Sequence, residues 1–227
     1  MSVFLTATSG KLPHPVRRVY CVGRNYAEHR KEMGGSDRDE PFFFHKPHDA
    51  IFQVEADNVV PVKYPRGTKK YSYEAELVVV MGSCKEIYGY ALGVDFTKRD
   101  VQEMAKKMGR PWESGKSFDN SGLVGIVHTM SHLREDGRLS FTQNGITKQS
   151  SEISNMIWPV ADLIEKLVEQ DFSVEAGDVI FTGTPAGVGE LHVGDRCVVS
   201  LTEPDGSHVL SPLKFSITDN SIGDAHY

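Results

Sequence analysis

Glu74 and Glu76 stand two residues apart in the run YEAELVVVM at 73–81. On an extended strand alternate side chains point the same way, so both carboxylates share a face with Val78 and Val80. Two rises separate them by about 6.7 Å. Burying like charges that close is costly unless a cation neutralises them or one takes a proton. Asp95, after YALGV on the next expected strand, is a candidate third carboxylate. Three carboxylates without His or Cys form a hard, all-oxygen set that suits Mg²⁺, Mn²⁺ or Ca²⁺ rather than zinc. Spacing alone leaves open an edge strand with solvated glutamates and an ordinary helix-capping turn at Asp95.

In GRNYAEHRKEM at 23–33, His29 and Glu32 are three apart. On a helix they occupy one face, where Glu32 can orient the imidazole and raise its basicity, the arrangement of a general base. Glu28, Arg30 and Lys31 beside them leave a solvated helix as the alternative. Arg99, Gln102 and Lys116 are candidate anion or oxyanion partners, although a lysine or arginine is more often simply surface. After the apolar DVI, the run FTGTPAGVG has glycines at 183, 187 and 189. It lacks the Gly-Lys-Ser/Thr ending of a phosphate loop and contains Pro185. Its backbone amides and the Thr184 hydroxyl are suited to meet a carboxylate, and a plain glycine-rich turn is the alternative.

These residues need strands to carry them. RRVYCVG, PFFFHK, AIFQV, NVVPV, YEAELVVVMG, YALGVDF, DVIFTG, RCVVSLT and HVLSPLKFSI are short, β-branched or aromatic, and bounded by turn residues. A short helix is expected over 26–33. Another spans 97 to about 108, with Thr97 as its cap, Asp100 in the first turn and Gly109 at its end. A third follows Pro159 and carries Val160, Leu163, Ile164, Leu167 and Val168 on one core-facing stripe. With no regular βαβ alternation, the expected class is mixed α/β and β-rich.

The chain has 227 residues, with 25 Lys+Arg against 31 Asp+Glu and a net charge of −6. That length supports a real core without disulfides. No basic run could neutralise a row of phosphates, so a nucleic-acid partner is not expected. No apolar stretch approaches the roughly 18 residues that span a bilayer, so neither is a membrane. Cys21, Cys84 and Cys197 are odd in number, far apart and without metal-ligand spacing, which predicts reduced core residues. The N-terminus has no secretory pattern, while Arg17 and Arg18 leave a transit peptide open. A cytoplasmic location is expected, with a mitochondrial one as the alternative. The apolar pattern begins at about Val19, and the expected organisation is an N-terminal segment over 1–16, a catalytic domain over 17–215 and a polar, frayed tail over 216–227.

Six segments in order carry a resemblance that covers nearly the whole chain, from about residue 17 to 215. They are CVGRNYAEHRKEM (21–33), FFFHKP (42–47), YEAEL (73–77), GYALGVDFTKRDVQ (89–102), GKSFDNSG (115–122) and GDVIFTGTPAGVG (177–189). Together they resemble the fumarylacetoacetate hydrolase family, and RPWESGKSFD with FFFHKPHDAI looks most like its fumarylpyruvate and acylpyruvate hydrolase branch. His45 departs from the apolar residue this pattern has before Lys46. The resemblance implies a β-roll of mixed sheets with a few short helices, usually a homodimer. It implies that Glu74, Glu76 and Asp95 hold Mg²⁺ or Mn²⁺, with Ca²⁺ as a crystal substitute. It puts His29 and Glu32 on a lid-like helix as the water-activating pair, with Lys116 stabilising an oxyanion. Arg24, Lys46, Arg99, Gln102 and Thr184 are implied substrate contacts. The implied substrate is a small 2-oxo or 2,4-dioxo acid, and the implied reaction is hydrolysis of an acylpyruvate carbon–carbon bond. Oxaloacetate decarboxylation, oxo-acid tautomerisation or isomerisation, and a non-catalytic metal-binding module are the alternatives.

Overall fold

Leu77, Val79 and Met81 point to one face of the strand Ala75–Met81, Glu76, Val78 and Val80 point to the other, and all are buried. A strand covered on both sides must lie inside a sheet, and its neighbours show that it does. The computed structural model describes residues 2–28, 40–54 and 58–220. Most of the expected helix at 26–33, with His29 and Glu32, lies outside the described residues, as do 221–227 of the tail.

Among the described residues the main sheet runs Phe42–Lys46, Val19–Gly23, Val179–Phe181, Ala75–Met81, Ile87–Asp95, Gly122–Val124, Ile51–Gln53, with His128–Thr129 added beside Ile87–Asp95. It is mixed: Val19–Gly23 is parallel to Val179–Phe181, and Ile51–Gln53 to Gly122–Val124, whereas Ala75–Met81 is antiparallel to both of its neighbours. A second sheet has the order Ile146–Glu152, Arg138–Gln143, Arg196–Thr202, Leu213–Thr218, Val59–Lys63. The larger core lies between them, where Leu77, Val79, Leu92 and Val94 meet Leu139, Phe141, Val199 and Phe215. Burying side chains of this size stabilises the fold by about 1.5–3 kcal/mol each. On the other face, Val78, Val80, Ala91 and Phe181 pack with Leu5, Leu12 and Val16. The apolar pattern therefore begins at Leu5 rather than Val19, because the first residues cover the outer face of the main sheet. The result is a curled, β-rich mixed α/β fold with few, short helices.

Four expectations change in detail. The extended run at 73–82 is two strands: Tyr71–Tyr73 joins Thr97–Lys98 and Gly189–Glu190 in a small sheet, and Ala75–Met81 joins the main one. Glu74 sits between them, its carbonyl accepting the Asp95 N–H at 2.8 Å. The helix expected from Thr97 is Arg99–Lys107; Thr97 cannot cap it because its backbone is paired with Ser72, and Lys98 holds the capping position without a side-chain bond. The helix after Pro159 is Val160–Glu169, with Leu163 and Leu167 fully buried and Ile164 packed against the core, while Val168 is exposed. Cys21 and Cys197 are buried free thiols, but Cys84 is exposed on a turn.

Candidate metal centre

Pairing of Ala75–Met81 with Ile87–Asp95 sets Glu76 opposite Gly93 and brings Asp95 beside Glu74. One oxygen from each of Glu74, Glu76 and Asp95 lies within 4.8 Å of the others, and all three residues are buried. The solvated-glutamate alternative fails for a physical reason, since Glu76 is 2% exposed in the middle of a sheet.

Cations surround this cluster. Lys116 Nζ donates to Glu74 Oε2 at 2.6 Å and to Asp95 Oδ2 at 2.7 Å, and Arg99 donates to Glu74 Oε1 at 2.9 Å. Lys116 stands on the one-turn helix Glu113–Lys116, tied down by the Ser117 hydroxyl donating to the His45 carbonyl at 2.6 Å. Lys46 comes up from below, fully buried, with Nζ 2.8 Å from Asp95 Oδ1 and donating to the Lys116 carbonyl. The Lys46–Asp95 contact is an ion pair without hydrogen-bond geometry, and Asp95 Oδ1 remains a buried acceptor without a hydrogen bond.

Glu76 is held differently. The Gly183 N–H donates to its Oε2 at 2.8 Å. Gly183 has φ +97, and a Cβ there would meet Asn25 Cβ at 2.7 Å, so glycine alone fits the turn that aims this amide. Burial, then the charges of Asp95 and Glu74, push the Glu76 carboxyl well above the ordinary carboxylate range, against the Gly183 bond and Lys116. For Lys116 burial works downward, but Asp95 and Glu74 outweigh it and hold the ammonium above its ordinary value.

The donor set fits a hard divalent cation. It contains carboxylate oxygens only. One oxygen of each lies within 4.8 Å of the others, so the three could converge on one such ion.

Above the cluster a narrow cleft is lined by Arg24, Glu74, Glu76, Arg99, Gln102, Lys106, Lys116 and Thr184, with Phe42, Phe44 and Trp112 as an aromatic wall. Phe42 packs edge-on against Trp112 with centroids 5.6 Å apart. The structure thus brings together Arg24, Glu74, Glu76, Arg99, Gln102, Lys116 and Thr184 of the residues singled out from sequence, with Asp95 beneath. Lys46 lies under the cluster rather than in the cleft wall, and His29 and Glu32 lie outside the described residues. Gln102 accepts from Arg99 at 3.2 Å, leaving its amide hydrogens free to donate. The Thr184 hydroxyl donates to the Ala75 carbonyl and accepts from Gln149 Nε2, both at 2.8 Å, so its one hydrogen is already used. The glycine-rich loop does meet a carboxylate through its backbone, but that carboxylate is Glu76.

Sequence reasoning misses two residues. Gln149, buried, accepts from the Ala75 N–H at 3.1 Å and donates to Thr184 and to the Pro185 carbonyl. The Asn144–Gly145 pair between two alternating runs marks its hairpin. Lys106 follows Arg99 and Gln102 at the i, i+3, i+7 spacing of one helical face.

The buried all-carboxylate cluster beneath a cation-lined cleft, on a curled mixed sheet, is a set that could hold a metal ion. The chain belongs to the fumarylacetoacetate hydrolase family, whose model, Fumarylacetoacetate (FAA) hydrolase C-terminal, matches residues 18–210. It is 38% identical over 202 residues to the oxaloacetate tautomerase YcgM of Escherichia coli, covering 83% of this chain and 90% of that protein. It is 36% identical over 171 residues to a fumarylpyruvate hydrolase of a Ralstonia species, covering 70% of this chain and 86% of that one. The crystal structure of fumarylpyruvate hydrolase from Pseudomonas aeruginosa in complex with Mn²⁺ and pyruvate superposes with a TM-score of 0.87 at 39% identity, over 96% of both chains.

Proposed function

We propose that this protein is a metal-dependent hydrolase that cleaves the carbon–carbon bond of acylpyruvate-type 2,4-dioxo acids, such as fumarylpyruvate, to pyruvate and a carboxylic acid. The observation that carries this reading is the buried Glu74–Glu76–Asp95 cluster at the floor of a cleft lined by Arg24, Arg99, Lys106 and Lys116. A relative crystallised with Mn²⁺ and pyruvate, similar over almost the entire chain, supports it. Glu74, Glu76 and Asp95 would hold Mg²⁺ or Mn²⁺, which supplies Lewis acidity toward the carboxylate and 2-oxo oxygens of the acid.

The chain's own residues do the rest. His29, oriented by Glu32, takes a proton from water as the water oxygen bonds to the distal carbonyl carbon. Lys116 has spent two of its three hydrogens on Glu74 and Asp95, and the third is available to the oxyanion, with the Gln102 amide as a second donor. The bond between the distal carbonyl carbon and the pyruvate methylene breaks, its electron pair leaving with that methylene, which takes up a proton. Arg24 and Arg99 hold the substrate's negative charge. Lys46 acts as a positioning residue, fixing Asp95 and the Lys116 backbone. A homodimer in a cytoplasmic or mitochondrial compartment is part of the same proposal.

A second reading, oxaloacetate tautomerisation, is favoured by the 38% identity to YcgM. It needs the same held oxo acid and a proton transfer, with no water attack. Assaying acetylpyruvate, fumarylpyruvate and oxaloacetate with Mg²⁺ and Mn²⁺, and identifying the products, separates them. The hydrolase reading predicts pyruvate and the matching acid in equal amounts. Accelerated keto–enol interconversion of oxaloacetate without acylpyruvate cleavage would replace it with the second reading.

A further inference from the structure

Leu77 and Glu76 point to opposite faces of the strand Ala75–Met81, so a cavity that Leu77 lines lies behind the carboxylate cluster. Among the described residues it shares none of its lining with the cleft. Its volume is about 260 Å³, and Leu77, Ile87, Leu133, Ile153, Met156 and Val160, all buried or half-buried, give it apolar walls. Hydrogen bonds hold those walls in place. The Ile153 and Ser154 N–H groups donate to the Gly137 and Glu135 carbonyls at 2.9 Å each, and the Ile157 N–H to the Asn25 carbonyl at 2.7 Å. Asn25 also grips Trp158, its Nδ2 donating to the Trp158 carbonyl and its Oδ1 accepting the Trp158 N–H, at 2.9 Å each. A cavity walled in this way is already formed before a ligand arrives.

One polar group faces this apolar space. Tyr90 is 4% exposed, and its hydroxyl makes no hydrogen bond among the described residues. The hydroxyls there that are sealed from water without a partner are those of Tyr26 and Ser121, so that of Tyr90 opens on the cavity it lines. Burial raises the Tyr90 phenol above its ordinary value, which keeps it a donor at neutral pH. The rim offers little to a charged ligand: Arg134 is engaged by Asp136 at 2.5 Å and Glu203 at 3.1 Å, and Glu135 is exposed, where solvent screens it. Apolar walls and a single unpartnered donor describe a place for an uncharged molecule with one acceptor. The Met156 thioether beside the cavity favours an aromatic one. An apolar cavity of about 150 Å³ holds benzene, so this larger volume suits fused rings.

We propose that this cavity is a second small-molecule site, which takes an uncharged, fused-ring aromatic molecule whose hydrogen-bond acceptor meets the Tyr90 hydroxyl. The site is independent of the reaction that the cleft carries out.

The test follows the Met156 methyl group by carbon-13 NMR in the full chain with Mg²⁺, its signal assigned through Met156→Leu, while quinoline or naphthalene is added near neutral pH. The two probes share a shape, and only quinoline, uncharged there, carries an acceptor. Both should shift the Met156 signal in wild type. Tyr90→Phe should weaken quinoline about fivefold, the size of one net hydrogen bond, and leave naphthalene binding at least as tight. Ala161→Trp, at the exposed rim of the cavity, should abolish both shifts. A Met156 signal that neither probe moves up to its solubility limit, or a Tyr90→Phe loss equal for the two, would overturn the proposal. A signal that moves on dilution of the protein without any probe would give the cavity to a second copy of the chain and overturn it as well.

Discussion

Each buried oxygen at the site is set by a different chemical constraint, and only some of these constraints are written in the sequence. The closeness of Glu74 and Glu76 is legible from their two-residue spacing, although the strand breaks at Glu74 and its period does not carry through. Their burial is not legible in that way, because it depends on Val179–Phe181 and Ile87–Asp95 flanking the strand. Lys46 shows the same gap: its side chain is fully buried beneath Asp95, a placement no local pattern encodes. Removing one partner of such a buried pair leaves an uncompensated charge, so Lys46→Met should lower the unfolding free energy by about 3–5 kcal/mol in denaturant titrations. A loss below about 1 kcal/mol would show that Asp95 does not depend on it. The pairing of His29 with Glu32 is an expectation from spacing alone, and both residues lie outside the described ones. His29→Ala should cut acylpyruvate cleavage by about 10²- to 10⁴-fold, the usual size of general-base catalysis, while Mn²⁺ affinity is retained. Cleavage that survives the change would remove the proposed pair.

At the scale of elements, strand existence is readable from residue types and strand limits are not. YEAELVVVMG reads as one strand because its residue types are uniform, yet it splits at Glu74 where the chain passes from the small sheet to the main one. The helix at Arg99–Lys107 loses its expected Thr97 cap to strand pairing, an instance of tertiary contacts overriding a local signal. The hairpin Arg138–Gln143 and Ile146–Glu152 goes unread despite its Asn144–Gly145 turn, and with it Gln149. That hairpin is fastened by Asp195, which accepts from Gln143 at 2.6 Å, Asn144 at 2.8 Å and the His192 N–H at 2.7 Å. Burial alone would raise the Asp195 carboxyl, but the His192 amide and the Asn144 and Gln143 side chains hold it below its ordinary 3.8. A folded-state value below the unfolded one stabilises the fold above the unfolded value, and the gain is lost as pH falls through the folded value. Asp195→Ala should therefore cost about 1–3 kcal/mol near neutrality, with the gap to wild type closing below pH 3.8. A gap that is unchanged there would show that the contribution is not electrostatic.

Over the whole molecule, a net charge of −6 conceals a cleft in which cations outnumber the carboxylates they face. Composition averages over the surface and cannot reveal this. The order of the six family segments can, because it reports which strands must meet. No helix among the described residues is long and apolar enough to cross a membrane. Both cores and the two large sheets converge on one device, neighbouring main-sheet strands that carry Glu76 and Asp95 where apolar residues would otherwise sit. The most direct test is a calorimetric titration of Mn²⁺ into wild type and Glu76→Gln at several pH values. Wild type should bind one ion per chain, with affinity rising as pH rises because the ion must displace the proton that burial and its two acidic neighbours favour on Glu76. Glu76→Gln should bind at least about tenfold more weakly, having lost an anionic ligand. Equal affinity in the two proteins at every pH would contradict the assignment of this cluster as the metal site.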